Sequence, residues 1–206
     1  MKLTIIGAKG HGKVIADIAM LCGYDELEFL DDDPSLRTCA DIPVTGPSSD
    51  AGRKKNDLFV AVGNTSNRKR LMEANRGKSF STLIHPNAVI AENSQIGEGT
   101  VVMAGAVINP CSVIGKGVII NTCSSVDHDC RIHDYVHVSV GAHVCGNVEI
   151  GNGTWIGAGS TIVNNVRICE GSIIGAGAVV LKDIDEPGVY FGIPARKKKV
   201  DKPVDD

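Results

Sequence analysis

Residues 148–168 read VEIGNGTWIGAGSTIVNNVRI, and within this stretch an isoleucine recurs at every sixth position. The same period runs without an insertion from position 84 to position 180. It passes only through isoleucine and valine: Ile84, Ile90, Ile96, Val102, Ile108, Ile114, Ile120, Val126, Ile132, Val138, Val144, Ile150, Ile156, Ile162, Ile168, Ile174 and Val180. A period of six fits neither an α-helix nor a strand meander, and it is typical of a solenoid of short strands.

Each six-residue unit would form one side of a prism and place one β-branched residue inside. Three sides make a coil of eighteen residues, so Ile114, Ile132 and Ile150 should stack along one inner edge. Small residues, often glycine, follow the repeated positions and suit the tight corners. We therefore predict a parallel β-helix over residues 84–195.

This pattern resembles the hexapeptide-repeat acyltransferases, and the closing segment Gly192-Ile193-Pro194-Ala195-Arg196 matches the end of many of them. The resemblance implies a left-handed β-helix, a homotrimer, and acyl-CoA sites between neighbouring prisms.

The spacing of two histidines bears on where the active site lies. His128 and His137 are nine residues apart, which is half of an eighteen-residue coil, so the two side chains should lie on different faces of the prism. We therefore expect an active site shared between subunits.

Residues 1–83 lack the period and alternate between predicted strands and helices. Strands are expected at Lys2–Ile6, 27–30 and 58–62, and helices at 13–22 and 65–75. This order predicts a small Rossmann-like α/β domain with a parallel sheet, whose ligands bind at the carboxyl ends of the strands.

The turn GAKGHG at residues 7–12 leaves three interpretations open. Its glycines do not match the dinucleotide-binding pattern, although Asp31 follows at a distance where a ribose-binding acid could lie. The glycines could instead serve only to join strand to helix. The interpretation we favour is a sugar-nucleotide pocket, because glycine lets the backbone approach a pyrophosphate at the start of a helix.

Four of the six histidines fall within residues 128–143, and His128 is followed by Asp129. A carboxylate next to an imidazole can orient it and raise its basicity, as a general base requires. His128 is therefore the candidate base. The histidine spacing matches no recognisable metal site, and we predict none.

Composition excludes several classes of protein. A formal net charge of −3 argues against binding to nucleic acid, and no apolar run is long enough to insert into a membrane. The start lacks a secretion signal and the seven cysteines show no paired spacing, which together predict a cytoplasmic protein with reduced thiols. Residues 196–206 are predicted to be a flexible tail.

A closer resemblance rests on motifs that occur in order along nearly the whole chain. The motifs are GAKGHGKV, FLDDD, AVGN, LIHPNA, NTCSSVDHDC, HVSVGAHVCGN and GIPAR. Together they resemble the bacterial sugar-nucleotide acetyltransferases, nearest to the bacillosamine-pathway N-acetyltransferases that act on UDP-4-amino sugars.

The resemblance implies a role for each matching residue. His128 would be the base and Asp129, often glutamate in the family, its supporting acid. Residues implied for acetyl-CoA are His137, Gly146, Ala158 and Ala176, of which Ala176 replaces a glycine found in some members. Residues implied for the nucleotide sugar are Lys9, Gly10, His11, Asp31, Asp32 and Gly63.

The expected activity is acetyl transfer from acetyl-CoA to the amine of a nucleotide-linked 4-amino-4,6-dideoxy sugar, most simply a UDP sugar. The amine would attack directly, with no covalent enzyme intermediate, while His137 or backbone N–H groups stabilise the oxyanion. Two related alternatives are an O-acetyltransferase of a sialic-acid-like sugar and an N-acetyltransferase of GDP-perosamine. A non-enzymatic scaffold is a third, but a scaffold has no need of the His128–Asp129 pair.

Overall fold

The computed structural model describes residues 1–198, which form an α/β domain followed by a parallel β-helix. The expected fold class is therefore confirmed. The predicted tail begins with a short strand, and its residues 199–206 lie outside the described part of the chain.

The N-terminal domain contains a five-stranded sheet in the order β3-β4-β2-β1-β5, in which only β3 is antiparallel to its neighbour. A 3-10 helix at Ser48–Arg53 and the β3–β4 hairpin were not predicted, because neither contains a run of buried apolar residues. The elements are β1 Lys2–Ile6, α1 Gly10–Leu21, β2 Glu26–Leu30, β3 Thr38–Cys39, β4 Ile42–Gly46, β5 Asp57–Val60 and α2 Thr65–Ala74.

Helix α1 begins three residues earlier than predicted because glycine allows an unusually close approach at its first turn. A Cβ atom on Gly12 would lie 2.2 Å from the carbonyl oxygen of Gly7, and one on Gly7 would lie 2.7 Å from that of Ala61. Neither separation is tolerable. The two glycines thus bring the amino end of α1 down onto the carboxyl ends of β1 and β5.

The β-helix consists of three sheets, one for each side of the prism. The first sheet contains β6 Leu83–Ile84, β9 Val101–Val102, β12 Ile119–Ile120, β15 His137–Val138, β18 Trp155–Ile156, β21 Ile173–Ile174, β23 Val189–Phe191 and β24 Arg196–Lys198. The second contains β7 Val89–Ile90, β10 Val107–Ile108, β13 Ser125–Val126, β16 His143–Val144, β19 Thr161–Ile162 and β22 Val179–Val180. The third contains β8 Gln95–Ile96, β11 Val113–Ile114, β14 Arg131–Ile132, β17 Glu149–Ile150 and β20 Arg167–Ile168.

The eighteen-residue stacking predicted from the sequence is confirmed. Ile132 pairs in parallel register with Ile114 on one side and Ile150 on the other, and all three are at most 2 % exposed. Buried hydroxyls complete the core by bonding to backbone carbonyls, as Ser112 does to Asp127 at 2.7 Å. Between residues 84 and 180 the stacked interior positions thus contain no aromatic side chain, and Tyr190, which pairs with Ile174, packs against the end of this core.

The corners repeat a left-handed backbone conformation every six residues from position 99 to position 177. Eight of these positions are glycine, and the others include Asp129 with φ 59°. Aspartate is one of the few other residues that tolerate this conformation. Asp129 can therefore adopt the left-handed conformation of the corner, and it is also next to His128 in the chain.

The N-terminal domain docks on the outer face of the first sheet. Leu83, Val101 and Ile119 point outward there, are at most 1 % exposed, and pack in one cluster with Ile15 and Ile18 of α1. Since Leu83 already pairs with β9, the β-helix begins one residue before the predicted boundary. The outward residues that follow on this face, beginning with His137, do not belong to this apolar cluster.

Candidate active site

A pocket of about 320 Å³ lies at the carboxyl ends of β1, β2 and β5, and we call it the polar pocket because charged side chains take part in its lining. It brings together five of the six residues expected to bind the nucleotide sugar: Lys9, His11, Asp31, Asp32 and Gly63. The sixth, Gly10, is the first residue of α1 and is not among the pocket's lining residues. Asn67 and Arg70 of α2, which we had not predicted, add polar groups to its wall.

Asp31 and Asp32 hold the loops around this pocket. Asp31 accepts hydrogen bonds from the backbone N–H groups of Ala8, at 2.7 Å, and Asp33, at 2.9 Å. Asp32 accepts from the N–H and hydroxyl of Ser48, at 2.8 and 2.9 Å, at the start of the 3-10 helix. Both carboxylates therefore fix backbone geometry as well as lining the cavity.

A second, more apolar groove of about 480 Å³ runs along the first sheet of the β-helix. It contains three of the four residues expected to bind acetyl-CoA, namely His137, Ala158 and Ala176. Trp155 and Phe191 line it as well. Trp155 lies eighteen residues after His137 and stacks on it, with ring centroids 5.1 Å apart, so the coil length could have identified it.

His137 is buried and neutral, and its hydrogen bonds define its tautomer. Asn121 accepts from the N–H of Thr122 through its oxygen, so its amide nitrogen faces His137 Nε2, at 3.1 Å. Nε2 is then the acceptor, which places the proton on Nδ1. Burial, with a smaller contribution from the charges of Arg68 and His11, lowers the pKa of His137 to about 3. Nδ1 is buried without a hydrogen-bond partner.

His128 and Asp129 occupy a corner between the second and third sheets, on a different edge of the prism from the groove. His128 Nδ1 lies 2.7 Å from a carboxylate oxygen of Asp129, so the proton on Nδ1 is held and Nε2 is left as the basic atom. This hydrogen bond is the main cause that raises the pKa of His128, with a smaller contribution from the charge of Asp127. The pair has the geometry expected of a general base.

Gly146 lies beside His128 and not among the residues that line the groove. A Cβ atom at this position would come within 2.6 Å of His128 Nε2 and Cε1, so only glycine leaves the imidazole in place. The structure therefore joins Gly146 to the predicted base, and it separates both from His137, Ala158 and Ala176 within one chain.

Among residues 1–198, no group of three His, Cys, Asp or Glu side chains is arranged to hold a metal ion. In the same range no helix is long and apolar enough to cross a membrane.

Two family models match the chain. The PglD N-terminal domain matches residues 2–74, and the bacterial transferase hexapeptide repeat matches residues 80–110 and 147–182. The chain is 39 % identical over 110 residues to UDP-N-acetylbacillosamine N-acetyltransferase of Bacillus subtilis, an alignment that spans about half of each protein.

Two solved structures are similar over nearly their whole length. The acetyltransferase domain of PglB from Neisseria gonorrhoeae, in complex with acetyl coenzyme A, is 40 % identical with a TM-score of 0.91, covering 96 % of this chain and 98 % of that one. PerB from Caulobacter crescentus, in complex with CoA and GDP-perosamine, is 35 % identical with a TM-score of 0.91, covering 97 % and 98 %. The chain therefore belongs to the hexapeptide-repeat transferases with a PglD-type N-terminal domain, a family of acetyl-CoA-dependent nucleotide-sugar N-acetyltransferases.

Proposed function

We propose that this protein transfers the acetyl group of acetyl-CoA to the amine of a nucleotide-linked 4-amino-4,6-dideoxy sugar, and that the nucleotide is UDP. The observation that carries the proposal is the His128–Asp129 pair, because an amine attacking a thioester must lose a proton near neutral pH. The Bacillus subtilis relative is named for a UDP-linked amino sugar, which favours UDP. GDP-perosamine is the second candidate, since it is the sugar bound in the Caulobacter structure.

The polar pocket suits the nucleotide part of such a substrate. The amino end of α1 lies at this pocket, since Lys9 and His11 line it, and a helix amino end favours a pyrophosphate. Lys9 and Arg70 add positive charge at the rim. The apolar groove suits the pantetheine arm of acetyl-CoA, which requires contact with apolar walls and backbone more than with charge.

The reaction follows from the positions of these groups. The sugar amine forms a C–N bond with the thioester carbonyl carbon as His128 Nε2 accepts its proton. Negative charge develops on the carbonyl oxygen, which backbone N–H groups or His137 would stabilise. The C–S bond then breaks, and His128 returns the proton to the CoA sulfur. The products are CoA and the acetamido sugar.

We further propose that the protein is a homotrimer in which the second sheet forms the subunit interface. The outward residues of that sheet carry no Asp, Glu, Lys or Arg, whereas those of the third sheet include Arg131, Glu149 and Arg167. Charged residues are depleted in interface cores. His128 lies two residues after a strand of the second sheet, so association through this sheet would bring the base of one subunit to the groove of its neighbour.

A substrate panel tests the activity. We expect CoA release with UDP-linked 4-amino-4,6-dideoxy sugars, with a kcat/KM at least about tenfold above that for the GDP-linked sugar, and mass spectrometry should show one acetyl group on nitrogen. Preference for the GDP-linked sugar would replace UDP in the proposal. Turnover only of a sialic-acid-like sugar, with the acetyl group on oxygen, would contradict N-acetylation.

We propose the cytoplasm as the location of the protein. It is reducing and supplies acetyl-CoA, and all seven cysteines are free thiols.

Subunit mixing tests the shared site. Ala158→Trp should block the groove from an exposed position, and His128→Ala should remove the base. Each variant alone should be an inactive trimer. In a cyclic mixed trimer, one interface always joins an intact base to an intact groove, so about one third of the parent activity should return. Purification through two different tags isolates the mixed trimers, and no recovery in them would place the whole site in one chain.

A further inference from the structure

Arg68 is the largest fully buried side chain among residues 1–198, with 1 % of its surface exposed. It lies on α2 and donates to four backbone carbonyls. Nη1 reaches Val62 at 3.0 Å and Gly63 at 2.7 Å, Nε reaches Gly117 at 2.7 Å, and Nη2 reaches Tyr135 at 2.6 Å. Among residues 1–198 no carboxylate forms an ion pair with it. A buried charge held only by carbonyls needs all of those hydrogen bonds.

The four carbonyls belong to two different parts of the site. Val62 and Gly63 follow the end of β5 and line the polar pocket. Gly117 and Tyr135 are corner residues of consecutive coils, each two residues before a strand of the first sheet, and the second of these strands begins with His137. The Arg68 guanidinium therefore joins the wall of the polar pocket to two consecutive coils, one of which carries the groove residue His137.

The two joined segments differ in how much other support they have. The corners at Gly117 and Tyr135 are held by coil-to-coil bonds, such as that from the Tyr135 N–H to the Lys116 carbonyl at 2.9 Å. The segment at Val62 and Gly63 lies outside any strand or helix. Loss of the guanidinium should therefore displace the pocket wall and leave the coils unchanged.

We propose that Arg68 is a positioning residue for acetyl transfer, which sets the wall of the nucleotide-sugar pocket against the coil that carries His137. The proposal rests on the function proposed above, because it assigns the two cavities to the two substrates. It assigns Arg68 no contact with either substrate.

The charge of Arg68 has a second effect, on the pKa values of His11 and His137. After burial, it is the next cause that lowers the pKa of His11, to about 4, and it also lowers the pKa of His137. After Arg68, His11 also contributes to the lowered pKa of His137. His11 lines the polar pocket and His137 lines the groove, so one charge adds to the effect of burial on an imidazole in each cavity.

Arg68→Lys is the main test, with Lys69→Met as its control. Lysine retains a positive charge but lacks the planar fork, so it cannot reach all four carbonyls. We expect the KM for the nucleotide sugar to rise at least about tenfold and the KM for acetyl-CoA to stay within about twofold. Lys69 is the next residue on α2 and is 53 % exposed, so its replacement should change neither constant.

Arg68→Met adds a measurement that does not depend on turnover. In NMR titrations of the imidazole nitrogens, the pKa values of His11 and His137 should shift upward in Arg68→Met and remain low in Arg68→Lys. Both should stay below the ordinary value of about 6.5, because burial remains the larger cause. If Arg68→Met does not fold, the KM values of Arg68→Lys still decide the question.

The outcomes separate this proposal from the proposed function. Unchanged KM values in Arg68→Lys, with only a lower melting temperature, would show that Arg68 merely stabilises the fold. Equal increases in both KM values would also overturn the proposal. If the parent protein acetylates no nucleotide sugar, the proposed function fails, while dissociation constants for UDP and for CoA still show whether Arg68 selectively supports the polar pocket.

Discussion

His128→Ala is expected to keep the fold and lose most of the turnover. The side chain is 54 % exposed at a corner, so its removal leaves the stacked core intact. Loss of a general base should lower kcat by about 10²–10⁴-fold. Circular dichroism and light scattering would verify the fold and the oligomer, and CoA release would measure the rate. An unchanged kcat at neutral pH would exclude His128 as the base.

His133→Ala is the matched control for this substitution. His133 also lies at an exposed corner and also contacts a carboxylate, since its Nε2 is 2.9 Å from Glu149. It lies on the far side of the third sheet from His128. We therefore expect the activity of His133→Ala to stay within about twofold of the parent.

The pH profile gives an independent check on the pair. His128 acts as a base only when neutral, so the rate should fall as the pH drops through its pKa, which Asp129 raises above the ordinary value. Asp129→Asn removes the main cause of that increase. The acidic limb of the profile should therefore move to lower pH, and the plateau rate should fall because the base is weaker. A limb that does not move would exclude Asp129 as the supporting acid.

Ile132→Asp is expected to destabilise the β-helix severely. Ile132 is 1 % exposed and lies between Ile114 and Ile150, so the carboxylate would have no water and no partner. Burying an unpaired charge costs at least several kcal/mol, a large share of the ~5–15 kcal/mol that stabilises a typical domain. Urea denaturation followed by circular dichroism would measure the loss.

Arg131→Asp is the control for this second substitution. Arg131 precedes Ile132 in the same strand and points to solvent, so the same carboxylate would stay hydrated. Its free energy of unfolding should fall by no more than about 1 kcal/mol, because the new carboxylate would lie opposite Glu149 but remain in water. If Ile132→Asp proved as stable as Arg131→Asp, the inward stacking of this position would be wrong.

The β-helix could be predicted almost residue by residue, because its period is local: each coil repeats the contacts of the last. The alternating domain was predicted in outline for a similar reason, since β1, β2 and β5 each contain a run of buried apolar residues. The β3–β4 hairpin was missed because β3 has only two residues and β4 has no fully buried residue.

The parts of the site that escaped prediction depend on contacts between distant segments. Nothing around Arg68 in the sequence shows that it is buried, because arginine is nearly always solvated and its four carbonyl partners lie 5 to 67 positions away. The position of Gly146 beside His128 follows from coil stacking, since the two are eighteen residues apart. The same arithmetic would have placed Trp155 against His137.

Because the N-terminal domain covers only part of the first sheet, the number of coils determines the length and position of the groove. The outward residues of this sheet form one row along the β-helix. The domain covers the first part of the row, which consists of Leu83, Val101 and Ile119. The row then continues into the groove through His137, Trp155 and Ile173. Each coil advances the row by one strand spacing, about 4.8 Å. Duplicating one coil after His137 would lengthen the groove by that distance, whereas duplicating one before it would carry His137 away from the polar pocket. In such a fold the reach of a ligand site is counted in whole coils, and evolution can change it only in steps of eighteen residues.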